Sequence, residues 1–341
     1  MDLSPEKAGT FHWPEQVCRP ALARRNRPLS ANAMRILAAF LAAAVVALVL
    51  PALASASYGW PIRPFGQAHP VRGDLNDPRF GESDLEQSGS FHNGIDIATP
   101  DGTPVYAGAG GRVSSTYTKR VTVAAKGVSY QYWHVARVVH RGQRVKLHQL
   151  LAYVYPGYGH LHFAEVRKGE YVNPLRRGGL TPYADTTSPT IASLSYYDGS
   201  YHDLTNAAVS GTVKLTVSAF DTPQLVSNWL WAVVTPAKIG WRLFNSNGLT
   251  VTAGHWDFSS VLCRYDSLAV FAPGTLKNNS HRAGDYNYWL GAQWDTSKVQ
   301  NGTYLLVVTA ADIRGNQAAK SATFTVANSM VSVTPGVAAA K

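Results

Sequence analysis

Between residues 92 and about 175, apolar residues alternate with polar ones in short runs that glycines separate. A period of two is typical of half-buried β-strands, and no window of useful length shows the 3.6-residue period of a helix. The sequence therefore predicts an all-β domain here. The runs that carry this prediction are residues 103–107, 112–116, 120–124, 129–134 and 160–166.

A second β-rich region follows a Pro/Thr/Ser segment at residues 181–189. Its alternating runs, with Gly and Asn turns between them, are typical of a β-sandwich, although the Cys…Trp…Cys signature of antibody domains is absent. The runs are residues 212–219, 228–234, 302–311 and 322–326. We expect a first domain at 57–180, a linker at 181–189, a sandwich at 190–328 and a tail at 329–341.

The N-terminal part contains an unbroken apolar run at residues 36–50, with Arg35 before it and small residues after it. This arrangement predicts a secretory signal peptide that is cleaved after Ala56. The alternative is an uncleaved membrane anchor, but the run is shorter than the ~20 residues of a spanning helix and Pro51 interrupts it. We expect Met34 to be the true start, and residues 1–56 are left out of the fold prediction.

Composition narrows the classes of function. The 341 residues are 45% hydrophobic, which excludes a disordered chain. The sequence includes two cysteines, too few for a four-cysteine metal site. Only Cys263 lies outside the leader, so we expect no disulfide within the mature chain. The net charge is +10, which favours an anionic partner such as wall polymer, lipid or nucleic acid. A signal peptide and the lack of a nucleic-acid motif argue against nucleic acid.

Five residues suggest metal chemistry. His92 and Asp96 are four apart, His134 ends an alternating run, and His160 and His162 are two apart. On a strand, residues two apart face the same side, so the last pair presents two imidazoles together. Two imidazoles, one carboxylate and a water make a catalytic zinc site, and imidazole ligands favour Zn²⁺ over Ca²⁺ or Mg²⁺.

A cupin metal site is the rival interpretation, because its motif also begins with H-x-H and continues to a glutamate, here Glu165. That interpretation needs a second histidine-bearing strand, which we do not find, and it leaves His92 and Asp96 without a role. The remaining histidines match no motif, and we expect surface or hydrogen-bonded side chains at His69, His140, His148, His202, His255 and His281.

Six sequence elements occur in the order found in one family. They are Phe91-His-Asn-Gly-Ile-Asp-Ile-Ala98, Gly102-Thr-Pro-Val-Tyr-Ala107, Gly111-Arg-Val113, Tyr132-Trp-His134, Gly142-Gln-Arg-Val145 and His160-Leu-His-Phe163. Over roughly residues 60–178 the chain resembles the lysostaphin/LytM-type zinc endopeptidases, which cut peptidoglycan peptides. The resemblance implies a small β-sheet domain of the duplicated hybrid motif type.

The resemblance also implies a role for each matching residue. His92, Asp96 and His162 would be zinc ligands, His160 a catalytic non-ligand, and His134 its partner. A neutral imidazole can take the proton of the attacking water, and another can stabilise the developing oxyanion. Which histidine does which stays open; we expect His160 to be the base and His134 to orient it or to contact the oxyanion.

Two departures from the family pattern affect the expected structure. His148 stands where the family usually has a glycine, so we expect a different turn there. Ala164 follows His160-Leu-His-Phe163 in place of the usual glutamate, and Glu165 comes one residue later. A shift of one residue on a strand moves the carboxylate to the opposite face.

The C-terminal region resembles bacterial immunoglobulin-like modules at residues 304–316, where Asp312, Gly315 and Asn316 are expected to build a turn rather than to bind calcium. Exposed tryptophans could form a glycan platform, but at strand spacing they are more often core. The tryptophans concerned are Trp229, Trp231, Trp241 and Trp256.

Together these observations predict a zinc endopeptidase, secreted or in the cell envelope, that hydrolyses peptide stems or cross-bridges of peptidoglycan. The first alternative is a catalytically silent relative that binds peptidoglycan or activates another hydrolase. The second is a surface protein in which the sandwich is the working part. We expect no nucleic-acid partner and membrane contact only through an uncleaved leader. The sequence does not give the oligomeric state.

Overall fold

The computed structural model describes residues 58–79, 91–223, 225, 233–263, 266–278, 282–291 and 293–328. These residues form an almost entirely β structure, so the all-β prediction is confirmed. In this part of the chain, no helix is both long and apolar enough to cross a membrane. The predictions for the leader, for Met34, for the tail, and for Trp229 and Trp231 lie outside the described residues.

The first described region consists of short strands joined by tight turns. The strands are β1 (Tyr58–Gly59), β2 (Val71–Gly73), β3 (Ile95–Ala98), β4 (Pro104–Tyr106), β5 (Gly111–Tyr117), β6 (Arg120–Ala125), β7 (Val128–Trp133), β8 (Val135–Arg137), β9 (Arg144–Val145), β10 (Leu150–Val154), β11 (His160–Arg167), β12 (Glu170–Val172) and β13 (Leu180–Thr181).

One large sheet has the strand order β2-β3-β11-β7-β6-β5-β9, with β12 also paired to β11. A smaller sheet has the order β4-β10-β8. On β3 and β11, Ile95, Ile97, Leu161 and Phe163 are completely buried in the core. Because side chains alternate along a strand, the residues between them face the other side of the large sheet. That side is where the predicted metal ligands lie.

The segment from residue 58 to 92 carries no period-two pattern and no strand was predicted in it. The structure shows otherwise, because β2 pairs antiparallel with β3 across a register shift between Val71 and Gly73. Three residues, of which one is glycine and one arginine, are too few to show a period. The pairing matters for the site, because Gly73 lies opposite Asp96.

The second region contains two antiparallel sheets that share one apolar core. Its elements are β14 (Thr190–Asp198), β15 (Thr212–Phe220), β16 (Lys238–Phe244), β17 (Thr250–Asp257), α1 (Ser267–Val270), β18 (Asn287–Trp289), β19 (Trp294–Asp295), a 3-10 turn (Thr296–Lys298), β20 (Gly302–Ala311) and β21 (Gln317–Val326). One sheet contains β14, β15, β18 and β19, and the other has the order β17-β16-β20-β21. The immunoglobulin-like assignment stays a prediction.

Two side chains of this region test expectations from the sequence. Trp241 and Trp256 are each 5% exposed and belong to the shared core, as their strand spacing indicated. Cys263 is 8% exposed, and the expectation of no disulfide within the mature chain stays a prediction. The other cysteine of the sequence, Cys18, lies outside the described residues.

Candidate metal centre

The register of β3 and β11 brings the predicted ligands together. His162 lies opposite Asp96 in the antiparallel pair, and the two side chains meet with 3.1 Å between Nδ1 of His162 and Oδ1 of Asp96. His92 precedes β3, and its Nε2 lies 2.8 Å from Nδ1 of His162 and 3.1 Å from Oδ1 of Asp96. All three residues are buried.

These three atoms fit a zinc ion. In a tetrahedral site with bonds of about 2.0–2.1 Å, neighbouring ligand atoms lie roughly 3.3 Å apart, close to the spacing seen here. The Nδ1 of His92 lies 2.8 Å from the carbonyl oxygen of Asp74, to which it donates, so its Nε2 carries a free lone pair. Two nitrogen donors and one carboxylate oxygen match the preference of zinc.

The carboxylate of Asp96 is the negative centre of the group. Burial alone would raise its pKa, but His92 and the Arg79 guanidinium hold that pKa well below its usual range. Nη2 of Arg79 lies 2.7 Å from Oδ2 of Asp96, so Oδ1 faces the histidines. Burial, followed by the nearby Arg79 charge, lowers the pKa of His92 to about 3, which keeps its imidazole neutral as a ligand must be.

His160 lies beside the three ligands rather than among them. Its Nδ1 donates to the carbonyl oxygen of Tyr158 at 2.7 Å, which leaves Nε2 as the acceptor, 3.6 Å from Oδ1 of Asp96. Burial lowers the pKa of His160 from its usual value. Its imidazole is therefore neutral at pH 7 and can take up a proton at Nε2.

His134 lies beside the same group, directly after the end of β7. Its ring centre lies 4.8 Å from that of His160 and 6.0 Å from that of His162, and it stacks on Tyr158 at 4.2 Å. Burial, with the neighbouring His160 and His162, lowers the pKa of His134 to about 3. Its backbone is left-handed, with φ of 63°, a conformation in which histidine is enriched among non-glycine residues.

Gly94 shows why the element His92-Asn-Gly-Ile-Asp96 contains a glycine. A Cβ at this position would lie 2.6 Å from the carbonyl oxygen of Phe163 and 2.9 Å from Nε2 of His162. No side chain fits between β11 and the segment that carries His92. The glycine therefore allows two of the ligands to approach each other.

All five predicted site residues come together in the structure. The sequence did not predict the residues that hold these side chains in place. Arg79 bonds Asp96, and the Asp74 carbonyl accepts from His92. Tyr158 stacks on His134, and its carbonyl accepts from His160. Two of these contacts are made by backbone carbonyls, which leave no trace in side-chain identity. Arg79 stands 17 residues before Asp96, too far apart for a local pattern to connect them.

The two departures from the family pattern have different outcomes. His148 adopts φ of 58°, so the left-handed turn that a glycine favours is kept, and the expectation of a different turn is wrong. Its ring stacks on Phe65 at 3.7 Å, which supports the side chain in that conformation. Glu165 faces away from His162 as expected, and it bonds Tyr58 and Arg176 in the core.

The other histidines largely match the expectation of surface or hydrogen-bonded side chains. His69 bonds the Pro64 carbonyl at 3.1 Å, His202 bonds Asp198 at 2.8 Å, and His140 and His255 are exposed. His148 is the exception, because its buried Nε2 has no hydrogen-bond partner. His281 lies outside the described residues.

A second group of buried acids lies in the C-terminal region. The carboxylates of Asp185, Asp221 and Asp312 approach within 4.8 Å of one another. Burial and then its two acidic neighbours raise the pKa of Asp221 to about 7. The expected turn at Asp312 is confirmed, because its Oδ1 accepts the N–H groups of residues 314, 315 and 316. The group contains acids alone, and we assign no metal to it.

The geometry defines a His/Asp metal centre of the kind that metallopeptidases use. Residues 90–174 match the model of Peptidase family M23, about a quarter of the chain. The matched part of the chain contains all five site residues. A comparison with curated proteins gives no match.

Solved structures similar to the chain include a zinc-containing peptidase from Vibrio cholerae, with 25% identity over 34% of this chain and a TM-score of 0.29. Csd3 of Helicobacter pylori has 20% identity over 39% of this chain and a TM-score of 0.31. The chain covers 38% of each of these two structures. Lysostaphin has 14% identity over 67% of this chain and 88% of its own, with a TM-score of 0.24.

Proposed function

We propose that the protein is a zinc-dependent endopeptidase that hydrolyses peptide stems or cross-bridges of peptidoglycan outside the cytoplasm. The observation that carries the proposal is the convergence of Nε2 of His92, Oδ1 of Asp96 and Nδ1 of His162, with 2.8–3.1 Å between them. The match of residues 90–174 to the model of Peptidase family M23 supports the class of reaction.

In this proposal His92, Asp96 and His162 hold the zinc ion. When bound at three protein ligands, zinc lowers the pKa of a coordinated water to about 7 and polarises the scissile carbonyl. Arg79 keeps the Asp96 carboxylate ionised and turned toward the histidines. The Asp74 carbonyl keeps the proton of His92 on Nδ1, away from the metal.

His160 is the proposed general base. Its Nδ1 proton is committed to the Tyr158 carbonyl, and its free Nε2 points toward the ligand group. It can take a proton from the attacking water at Nε2 and deliver that proton to the leaving amine. The lowered pKa keeps it unprotonated, and so ready to act, at neutral pH.

His134 is the proposed oxyanion partner. Its neutral ring is fixed by stacking on Tyr158 and by the left-handed backbone at the end of β7. A ring N–H in a buried position can donate a hydrogen bond to the oxyanion as negative charge develops on the substrate carbonyl. Its place about 5 Å from His160 separates the two roles.

The test is hydrolysis of purified peptidoglycan. We expect release of free amines by the purified protein, loss of that release with a zinc chelator, and loss of at least about 10³-fold in His162→Ala. His255→Ala is the matched control, because His255 is exposed and outside the site, and it should retain full activity. Mass spectrometry of the fragments would name the bond.

Two other outcomes would contradict the proposal. Binding of peptidoglycan with zinc present but no amine release would favour the catalytically silent alternative. Amine release that survives both the chelator and His162→Ala would mean that the chemistry lies elsewhere in the chain.

A further inference from the structure

The ligand His92 is held at its backbone and at its ring by one short segment, residues 74–77. Its N–H donates to the Asp77 carbonyl at 2.9 Å, and its carbonyl accepts from the Asn76 N–H at 2.8 Å. Its Nδ1 donates to the Asp74 carbonyl at 2.8 Å. The position of His92 therefore depends on what fixes this segment.

The segment is fixed largely by the C-terminal region. The side-chain amide of Asn76 donates to the carbonyls of Phe258 and Ser260 at 3.0 and 2.9 Å, and its Oδ1 accepts the Leu262 N–H at 2.9 Å. Oδ1 of Asp77 accepts the Thr235 N–H at 2.8 Å. Asn76 and Asp77 are completely buried, so these polar groups depend on the C-terminal backbone for their partners.

Asn76 is suited to this place in two ways. Its φ is 67°, a left-handed conformation that asparagine tolerates better than most residues. Its amide has two donors and one acceptor in use at once, all toward the chain between residues 258 and 262. The Asn76 side chain, which lies in a loop of the peptidase domain, therefore makes these three hydrogen bonds to the C-terminal region.

Phe91, the residue next to His92, adds an apolar contact. It is 7% exposed and belongs to the core of the C-terminal region, with its ring centre 5.5 Å from that of Phe271. It is the one member of that core cluster that precedes residue 191 in the described chain. Through Phe91, the backbone next to His92 is therefore also anchored in the core of the C-terminal region.

We propose that the C-terminal region is a structural part of the metal centre, with Asn76 and Phe91 as positioning residues that set His92 for zinc. This inference rests on the proposed function only in naming zinc as the ligand. It gives the second domain a role in assembling the site, distinct from binding the wall or acting as a spacer.

The first test measures zinc affinity of the full chain by competition with a chromogenic chelator. Asn76→Gly keeps the left-handed backbone and removes the amide, and Phe91→Leu shortens the anchor. Each should weaken zinc binding by about 10–100-fold, the range for groups that orient a ligand. Phe324→Leu is the matched control, because Phe324 belongs to the same core but contacts Trp294 and Tyr304. It should change zinc affinity less than about threefold.

The second test uses the unchanged protein, so it does not depend on a variant folding. Zinc should slow hydrogen exchange at the amides of Thr235 and Leu262, which donate to Asp77 and Asn76, and leave the β20–β21 hairpin unaffected. Protection confined to β3 and β11 would overturn the inference. So would equal losses of zinc affinity in Phe91→Leu and Phe324→Leu.

The outcomes separate this inference from the proposed function. A protein that binds zinc normally in every variant contradicts the role of Asn76 and Phe91 and leaves the peptidase proposal intact. A protein that binds no zinc in its unchanged form contradicts both the metal site and this inference. Loss of peptidoglycan cleavage with the expected zinc data contradicts the substrate alone.

Discussion

Two groups of buried acidic side chains in this molecule are placed in opposite electrostatic surroundings. Around Asp96 there are two histidines and the Arg79 guanidinium, and the pKa of that carboxyl is held well below its usual range. Around Asp221 there are the carboxylates of Asp185 and Asp312, and burial with these neighbours raises its pKa to about 7.

The difference shows that closeness of ligand atoms does not by itself define a metal centre. Both groups bring their oxygen or nitrogen atoms within 4.8 Å. The Asp96 group offers two imidazoles and one carboxylate, the donor set that zinc prefers. The lowered pKa values of His92 and Asp96 suit metal binding, which needs deprotonated ligands. The Asp221 group offers carboxylates alone, and burial with the two acidic neighbours raises the pKa of Asp221.

The largest effect on zinc affinity should come from neutralising the central aspartate of the Asp96 group. Asp96→Asn removes an anionic ligand and should weaken zinc binding by at least about 10³-fold, measured by chelator competition. Asp221→Asn is the matched change in the acid group and should leave zinc affinity unchanged. Equal zinc binding by the two variants would contradict the assignment of the metal to the Asp96 group.

The negative charge of a third buried carboxylate, Glu165, is compensated by hydrogen bonds and ion pairs with neighbouring side chains. It is completely buried, accepts from Tyr58 at 2.5 Å and from Arg176 at 2.6 and 2.8 Å, and also pairs with Arg167. Glu165→Gln leaves the partly buried charges of Arg167 and Arg176 unpaired and should lower the free energy of unfolding by about 2–3 kcal/mol in urea denaturation. Glu170→Gln, on the exposed end of β12, is the control and should change it by less than about 0.5 kcal/mol. A stable Glu165→Gln protein would show that the pair is dispensable.

Arg79→Gln should give an intermediate effect. The arginine orients Asp96 without contacting the metal, and loss of such a partner typically weakens metal binding by about 10–100-fold. Arg137→Gln, at an exposed position on β8, should leave zinc affinity as it was. Tighter zinc binding in Arg79→Gln would indicate that the charge of Arg79 opposes the metal more than its hydrogen bond helps.

The smallest effect concerns the pH dependence of stability. Because the pKa of Asp221 rises to about 7 on folding from an unfolded value of about 3.9, the folded state holds more protons between these pH values. The free energy of unfolding contributed by this group therefore falls as pH rises from about 4 to about 7, by up to about 1.4 kcal/mol per pH unit.

Asp221→Asn should flatten this slope, as measured by urea denaturation at pH 5 and pH 8. The exposed Asp203 accepts from Thr205, which lowers its pKa, so Asp203→Asn should not alter the slope in that range. A slope unchanged in Asp221→Asn would mean that other buried acids, such as Asp77, dominate the dependence.

Much of the fold and of the site was predictable because the signals are local. The alternation at residues 160–166 predicts a strand, and the spacing of His160 and His162 puts both on one face, where β11 places them. The residues that hold the ligands were not predictable, because Arg79, Asp74 and Tyr158 act through contacts that no periodicity encodes. The short strand β2 was missed for a related reason, since three residues cannot display a period.

The sequence by itself determined the all-β class and pointed to five candidate site residues, four of them through the H-x-x-x-D and H-x-H spacings, since strand alternation and such spacings are short-range properties. Only the tertiary structure decided that His92 is fixed through Asn76 by the chain at 258–262, which lies more than 180 positions beyond Asn76. The physical reason is that a buried amide must find hydrogen-bond partners wherever the fold brings backbone groups to it, and that choice depends on packing rather than on neighbouring residues.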